Sequence, residues 1–158
     1  MEINPRQENF AVPDSLTEAF RLDDQIGHLL RQAYRTASAH LAKRIAAHNL
    51  KPQQFATLAR LRELGATSQN CLGEAVGMER ANIHAMVERL RKKGLVETRA
   101  DPGDARRRLV ELTGDGLALV ETLIPLDLDS TEDALAMLSE DDRKALYRLL
   151  RQLCAANA

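Results

Sequence analysis

The sequence predicts a mainly α-helical protein carrying one small β-hairpin in its middle and long amphipathic helices at both ends. Three observations predict it. Gly94 to Thr113, GLVETRADPGDARRRLVELT, holds two β-prone apolar runs on either side of Asp101-Pro102-Gly103-Asp104, a composition that reverses the chain. Apolar residues recur at spacings of three and four through most of the remainder. Just before the hairpin, two short helical patterns meet at Gly77, a residue suited to a tight turn.

In chain order, residues 1–13 are polar, contain Pro5 and Pro13 and show no period, as in a loose arm. Asp14 or Ser15 can cap the next segment, in which Leu16, Ala19, Phe20, Ile26, Leu29, Leu30, Ala33, Ala37, Leu41 and Ile45 repeat helically to about His48. This is one long helix or two in series, longer than a small core needs. Its surplus apolar face calls for a second copy of the chain, so residues 14–49 are assigned to a dimerisation region. Leu50-Lys51-Pro52 breaks the pattern, with Pro52 suited to the first position of a second helix that runs through Phe55, Leu58, Leu61 and Leu64 and stops at Gly65.

Ser68 can cap a short third helix carrying Leu72, Ala75 and Val76. Beyond Gly77, a fourth helix turns Ile83, Val87 and Leu90 inward and Arg80, Asn82, His84 and Ala85 outward, then ends at Lys92, Lys93 and Gly94. A short helix, a glycine turn and a helix that is polar early is the helix-turn-helix pattern, in which the first turns of the second helix reach base edges in the major groove. With the hairpin, residues 50–112 form one lobe. Thr113 can cap a fifth helix with Leu117, Val120 and Ile124 on one face, and Pro125 is expected to kink or end it, leaving Leu126 to Asp133 as a broken polar segment. Ser139 and Asp142 suit the start of a last helix whose Ala145, Leu146, Leu149, Leu150 and Leu153 make a broad apolar stripe, so residues 113–158 complete the dimerisation region.

Charge is distributed unevenly along this frame. The 158 residues carry a net charge of −1 and are 44% hydrophobic, enough for a real core. From Arg80 to Arg108, however, nine cations face four carboxylates, a local +5 that leaves −6 for the rest. A hairpin tip is too thin to bury Arg99, Arg106, Arg107 and Arg108, so these guanidiniums face water or a polyanion, of which duplex DNA is the commonest. Aromatic residues make up 3% of the chain and tryptophan is absent, which disfavours stacking on single-stranded bases.

Other function classes find less support. The chain has no glycine-rich phosphate loop and no GxSxG, and His84 with Glu88 reads as a surface contact, so no enzyme is expected. His28, His40, His48 and His84 lack metal-ligand spacing, and neither a metal nor another cofactor is expected. Cys71 and Cys154 form no CxxC pair and read as small apolar fillers in a reducing compartment; a peroxide-sensing thiolate is the alternative. The N-terminus lacks a secretory pattern and no apolar run approaches about 18 residues, so a soluble cytoplasmic protein without membrane contact is expected. A helical protein-interaction module that binds no DNA is the remaining alternative, distinguishable by the absence of any salt dependence toward duplex.

Asp104-Ala105-Arg106 followed by Leu109-Val110-Glu111-Leu112-Thr113 is similar to the wing pattern of the MarR family of winged helix-turn-helix regulators. LGEAVGMERANIHAMVERLRKKGLV resembles that family's two DNA-binding helices, and LKPQQFATL the start of its second helix. The resemblance implies a homodimer in which the first, fifth and sixth helices pack across a two-fold axis, bound to a pseudo-palindromic operator in double-stranded DNA. It also implies that Asp104 holds Arg106 in an ion pair at the wing tip, that Arg106 enters the minor groove, and that Arg107 and Arg108 follow the backbone. DNA contacts are accordingly expected from Ser68, Gln69, Arg80, Ala81, Asn82, His84, Arg89, Lys92, Lys93, Asp104, Arg106, Arg107 and Arg108. Members of the family respond to small aromatic acids or their coenzyme A thioesters, for which His28, Arg31 and Phe55 are the candidate contacts and release of a repressor the expected outcome. The chain departs from some members in having Thr98 where they carry a ligand-binding arginine, with the cation moved to Arg99.

Overall fold

A computed structural model describes residues 20–155; the loose arm and the caps expected at Asp14 and Ser15 lie outside the described residues. The elements are α1 (Ile26–Ile45), α2 (Pro52–Leu64), β1 (Thr67–Ser68), α3 (Gln69–Val76), α4 (Arg80–Lys92), β2 (Val96–Asp101), β3 (Asp104–Leu112), α5 (Gly114–Ala134) and α6 (Glu140–Ala155). Single 3₁₀ turns occupy Leu22–Asp24 and Ala46–His48. Two compact units divide within α1, between Arg35 and Thr36. In the first, Phe20, Ile26 and Leu29 of the stripe read from the sequence are exposed, as are Leu22 and Tyr34, and Leu30 is half-buried.

The second unit holds the core. Leu41 and Ile45 of α1, Phe55, Leu58 and Leu61 of α2, Leu72 of α3, Ile83, Met86, Val87 and Leu90 of α4, and Val120 and Leu123 of α5 pack with Val96 and Val110 of the sheet. Local sequence fixes where the helices begin. Ser68 Oγ accepts from the Cys71 amide at 3.2 Å, and Pro52 stands at the start of α2, where a missing N–H costs nothing. Thr113 Oγ1 accepts from the Gly116 amide at 3.0 Å and donates to the Gly94 carbonyl at 2.6 Å, pinning the start of α5 to the end of α4. Gly77, at φ 67°, makes the left-handed turn between α3 and α4.

The hairpin pairs Val96 with Leu112 through Ala100 with Arg108, then shifts register so that Asp101 meets Asp104 across Pro102-Gly103. Asp101 Oδ1 accepts from the Gly103 amide at 2.9 Å, the local bond that favours aspartate in turns. The sequence did not reveal a third strand, β1, which pairs Thr67 with Val110 and Ser68 with Leu109. Two residues are too few to show a period, and their pairing is a long-range contact. This strand anchors the wing to the start of α3.

Pro125 neither ends nor breaks α5, correcting the expectation; the helix runs through it to Ala134, and residues 126–133 are helical. Proline deprives the Glu121 carbonyl of its partner at a cost of about 3 kcal/mol. Val120 and Leu123 before it are buried, however, and Ile124 and Leu126 on either side pack against the same core. Burial of side chains this size is worth about 1.5–3 kcal/mol each, which outweighs the proline. Ion pairs reinforce α5 along its length: Arg62 Nε to Glu121 at 2.5 Å, Arg44 Nη2 to Asp133 at 2.5 Å, and Arg143 Nη1 to Glu132 at 2.7 Å.

Helix α6 starts as expected, with Ser139 Oγ accepting from the Asp142 amide at 3.2 Å, yet none of its residues is buried. Both cysteines are exposed, correcting their reading as apolar fillers. Leu72 and Gly73 take the inward positions of α3, which turns Cys71 outward. Among the described residues, no helix is long and apolar enough to cross a membrane.

Candidate nucleic-acid interface

Burial of Ile83, Met86, Val87 and Leu90 fixes the rotation of α4, and helical geometry then forces Arg80, Ala81, Asn82, His84, Ala85, Arg89 and Lys92 to the outside. Two of these outward side chains are held by α3. Arg80 Nε donates to Asn70 Oδ1 at 3.2 Å, and His84 Nδ1 lies 3.1 Å from Gln69 Oε1. Asn82 sits between them on the outer face. Its side chain makes no hydrogen bond to any described residue, so both its donor and its acceptor are open.

The cations beyond this point fall into two groups. Arg91 closes on Glu88 at 2.8 Å, and that bond holds the Glu88 carboxyl below its ordinary range. Glu88 is therefore engaged by Arg91, while His84 turns to Gln69, a correction to the expected His84–Glu88 contact. Arg99 Nε pairs with Glu111 at 2.8 Å across the hairpin. These two guanidiniums are neutralised by carboxylates. Others meet only neutral oxygens and keep their full charge: Arg89 Nε on the Ala85 carbonyl at 3.0 Å, Arg108 Nη2 on Thr98 Oγ1 at 3.2 Å, and Lys93 Nζ on the Asn49 carbonyl at 2.7 Å.

At the wing tip, Asp104 Oδ1 accepts from the backbone amide of Arg106 at 3.0 Å, where an ion pair with the Arg106 guanidinium was expected. A carboxylate two residues before an amide closes such a local bond readily, and the tight turn favours it. Arg106 and Arg107 are consequently exposed, with no side-chain partner among the described residues, as is Lys92. Ser68 is occupied as the α3 cap and Gln69 by His84. Asn70 was not anticipated: it is one polar residue in the first turn of a short helix, and its significance comes from Arg80, ten positions later.

The candidate ligand residues fall in different units. In the first unit, His28 Nε2 lies 3.3 Å from Gln32 Nε2 and 3.7 Å from Asp23, and Arg31 is exposed three residues on, on the same side of α1. In the second unit, Phe55 is 5% exposed and packs within the core.

A helix pair with an open polar face beside an arginine-tipped hairpin is a DNA-binding arrangement. The sequence signature of the MarR family matches residues 48–107. Over 134 residues the chain is 37% identical to the transcriptional repressor NicR of Pseudomonas putida, a match that covers 85% of each protein. The chain belongs to the MarR family. A probable transcriptional regulator from Pseudomonas aeruginosa, known from its crystal structure, is 44% identical and superposes with a TM-score of 0.78 over 84% of this chain and 99% of its own. BpsR of Bordetella bronchiseptica, whose DNA binding is regulated by 6-hydroxynicotinic acid, is 35% identical with a TM-score of 0.79, covering 85% of this chain and 96% of BpsR. The chain thus has the winged helix-turn-helix fold of a family of transcriptional regulators.

Proposed function

We propose that this MarR-family regulator is a homodimeric repressor that grips a pseudo-palindromic operator in double-stranded DNA and releases it when a small aromatic acid binds. The observation that carries the proposal is the juxtaposition of the open face of α4 with the unneutralised Arg106 and Arg107 of the wing. In this reading α4 enters the major groove, where Arg80 suits guanine and Asn82 suits adenine. Arg106 reaches the adjacent minor groove, while Arg107, Arg108, Lys92 and Arg89 meet phosphates. Asp104 shapes the wing tip by holding the Arg106 backbone, and Lys93 braces α4 against the turn before α2.

Dimerisation supplies the second half-site, about 34–36 Å from the first. The exposed Leu149, Leu150 and Leu153 of α6, and Phe20, Ile26 and Leu29 of the first unit, are the surfaces it would cover. For the effector, the likeness to BpsR puts a hydroxylated pyridine carboxylate ahead of a coenzyme A thioester. His28 and Arg31 carry the charge and hydrogen-bonding capacity that a carboxylate needs, whereas Phe55 serves the packing of α2. The proposed activity, exerted on DNA in the cytoplasm, is binding without covalent chemistry.

Fluorescence anisotropy with labelled duplex tests the proposal directly. Binding should weaken steeply with salt and be reversed by 6-hydroxynicotinic acid, and a ligand at a hundred times its Kd should stabilise the folded protein by about 2.7 kcal/mol. Salt-independent binding, or a monomer by sedimentation, would overturn the DNA-binding dimer. Indifference to aromatic acids would overturn only the effector.

A further inference from the structure

We infer that Asn70 and Gln69 are positioning residues for base readout: from the first turn of α3 they orient the Arg80 and His84 side chains that α4 presents to the major groove. The inference rests on the proposed role of α4 and adds a division of labour within the helix pair. Base preference at two positions is then encoded partly by residues that need not touch the bases themselves.

Arg80 is exposed on a long, flexible stem, and a free arginine loses considerable rotamer entropy when it docks on a base. Asn70 Oδ1 accepts from Nε, the inner edge of the guanidinium, at 3.2 Å. The contact leaves the two terminal nitrogens free, and these form the fork that matches O6 and N7 of guanine. Asn70 is neutral, so the full positive charge of Arg80 remains available to the DNA. Where a carboxylate holds an arginine on this surface, as Glu88 holds Arg91, the charge is spent within the protein.

The second pair acts through tautomer choice. Gln69 Oε1 lies 3.1 Å from His84 Nδ1, an arrangement in which Nδ1 carries the hydrogen and donates. In the neutral ring Nε2 is then a bare acceptor. An acceptor at that position suits an exocyclic amine, adenine N6 or cytosine N4. Both positioning residues come directly after Ser68, whose hydroxyl caps α3 and whose backbone pairs with Leu109 in the sheet, so their origin is fixed on two sides.

The test is sequence selection from a randomised duplex pool by the full-length protein, carried out with wild type, Arg80→Ala, Asn70→Ala and the double variant, and in parallel with His84→Ala and Gln69→Ala. Asn70→Ala should relax preference at the same base pair as Arg80→Ala and weaken the selected site about 2- to 12-fold, the cost of ordering one long side chain. In the double variant, Asn70→Ala should add nothing to Arg80→Ala, because its effect passes through that guanidinium. Gln69→Ala should relax the base pair that His84→Ala relaxes. Relaxation at a different base pair, additive losses in the double variant, or undiminished preference in Asn70→Ala would each overturn the positioning role while leaving α4 as the reading helix. Full preference in Arg80→Ala would remove base readout by Arg80 and, with it, the positioning role of Asn70, while Asn82→Ala tests the reading of α4 separately. Circular dichroism of each variant separates these outcomes from loss of fold.

Discussion

The wing cations differ in how much charge they can offer to DNA, and salt titration makes that difference measurable. Arg106 and Arg107 are exposed without an internal partner among the described residues, whereas Arg99 is paired with Glu111 and Arg91 with Glu88. Each phosphate neutralised by a cation contributes about 0.9 to the slope of log K against log salt, so one arginine per wing, in the proposed dimer with its two wings, contributes about 1.8. Over a fourfold rise in salt, from about 50 to 200 mM, that slope corresponds to about a 12-fold difference in affinity. Arg107→Ala should therefore flatten the salt dependence by this amount on a mixed-sequence duplex, and Arg106→Ala by a similar one, because a guanidinium in the minor groove displaces counterions from the phosphates on either side of it. Removing a whole pair, Arg99→Ala with Glu111→Ala or Arg91→Ala with Glu88→Ala, should leave the slope nearly unchanged, because the two partners together add no net charge to the surface. Anisotropy titrations over a series of salt concentrations read the slope without knowledge of the operator. A slope reduced as much by the Arg99→Ala, Glu111→Ala double variant as by Arg106→Ala would refute the argument from internal pairing.

Asn82→Ala should cost about 1–3 kcal/mol at a selected site and relax choice at one base pair, since its amide is open for bidentate contact; selection sequencing reads both. Gly116→Ala should destabilise the fold by about 2–4 kcal/mol, because the added Cβ would stand 2.0 Å from the Leu95 carbonyl oxygen. Overpacking costs about 1–3 kcal/mol, and displacing that carbonyl also endangers its 3.1 Å bond from the Thr113 amide; urea unfolding measures the sum. Burial raises the Asp127 carboxyl above its ordinary range. Its ionisation therefore opposes folding: the penalty builds as pH rises above the unfolded value of about 3.9, is complete once pH exceeds the raised folded value, and is absent in stronger acid. Asp127→Asn should melt higher than wild type at neutral pH, with the gap closing in acid; a gap independent of pH would count against ionisation as the cause. Neither exposed cysteine, Cys71 or Cys154, is assigned a DNA contact, so a Cys71→Ser, Cys154→Ser double variant is expected to bind duplex like wild type before and after peroxide treatment.

Local patterns alone located most of the helices and the hairpin. Ser68, Thr113 and Ser139 cap the helices they were expected to cap, because a cap is a bond between residues three apart in sequence. Helical period placed Ile83, Val87 and Leu90 of α4 inward, missing only Met86, and with them Arg80, Asn82 and His84 outward. Other features depended on residues distant in sequence. Pro125 continues α5 because Val120, Leu123, Ile124 and Leu126 are all drawn to one core, a gain no local propensity contains. The strand β1 exists only because Val110 and Leu109 pass beside Thr67 and Ser68. The same is true of charge: the sequence counts nine cations between Arg80 and Arg108, but it does not say which are spent internally. Pairing of Arg99 with Glu111 and the hold of Asn70 on Arg80 come from side chains brought within hydrogen-bond reach by the packing of strands and helices. Periodicity and capping are short-range physics and are written in the order of residues, whereas the availability of a charge depends on its neighbours in space, and only the folded chain decides those.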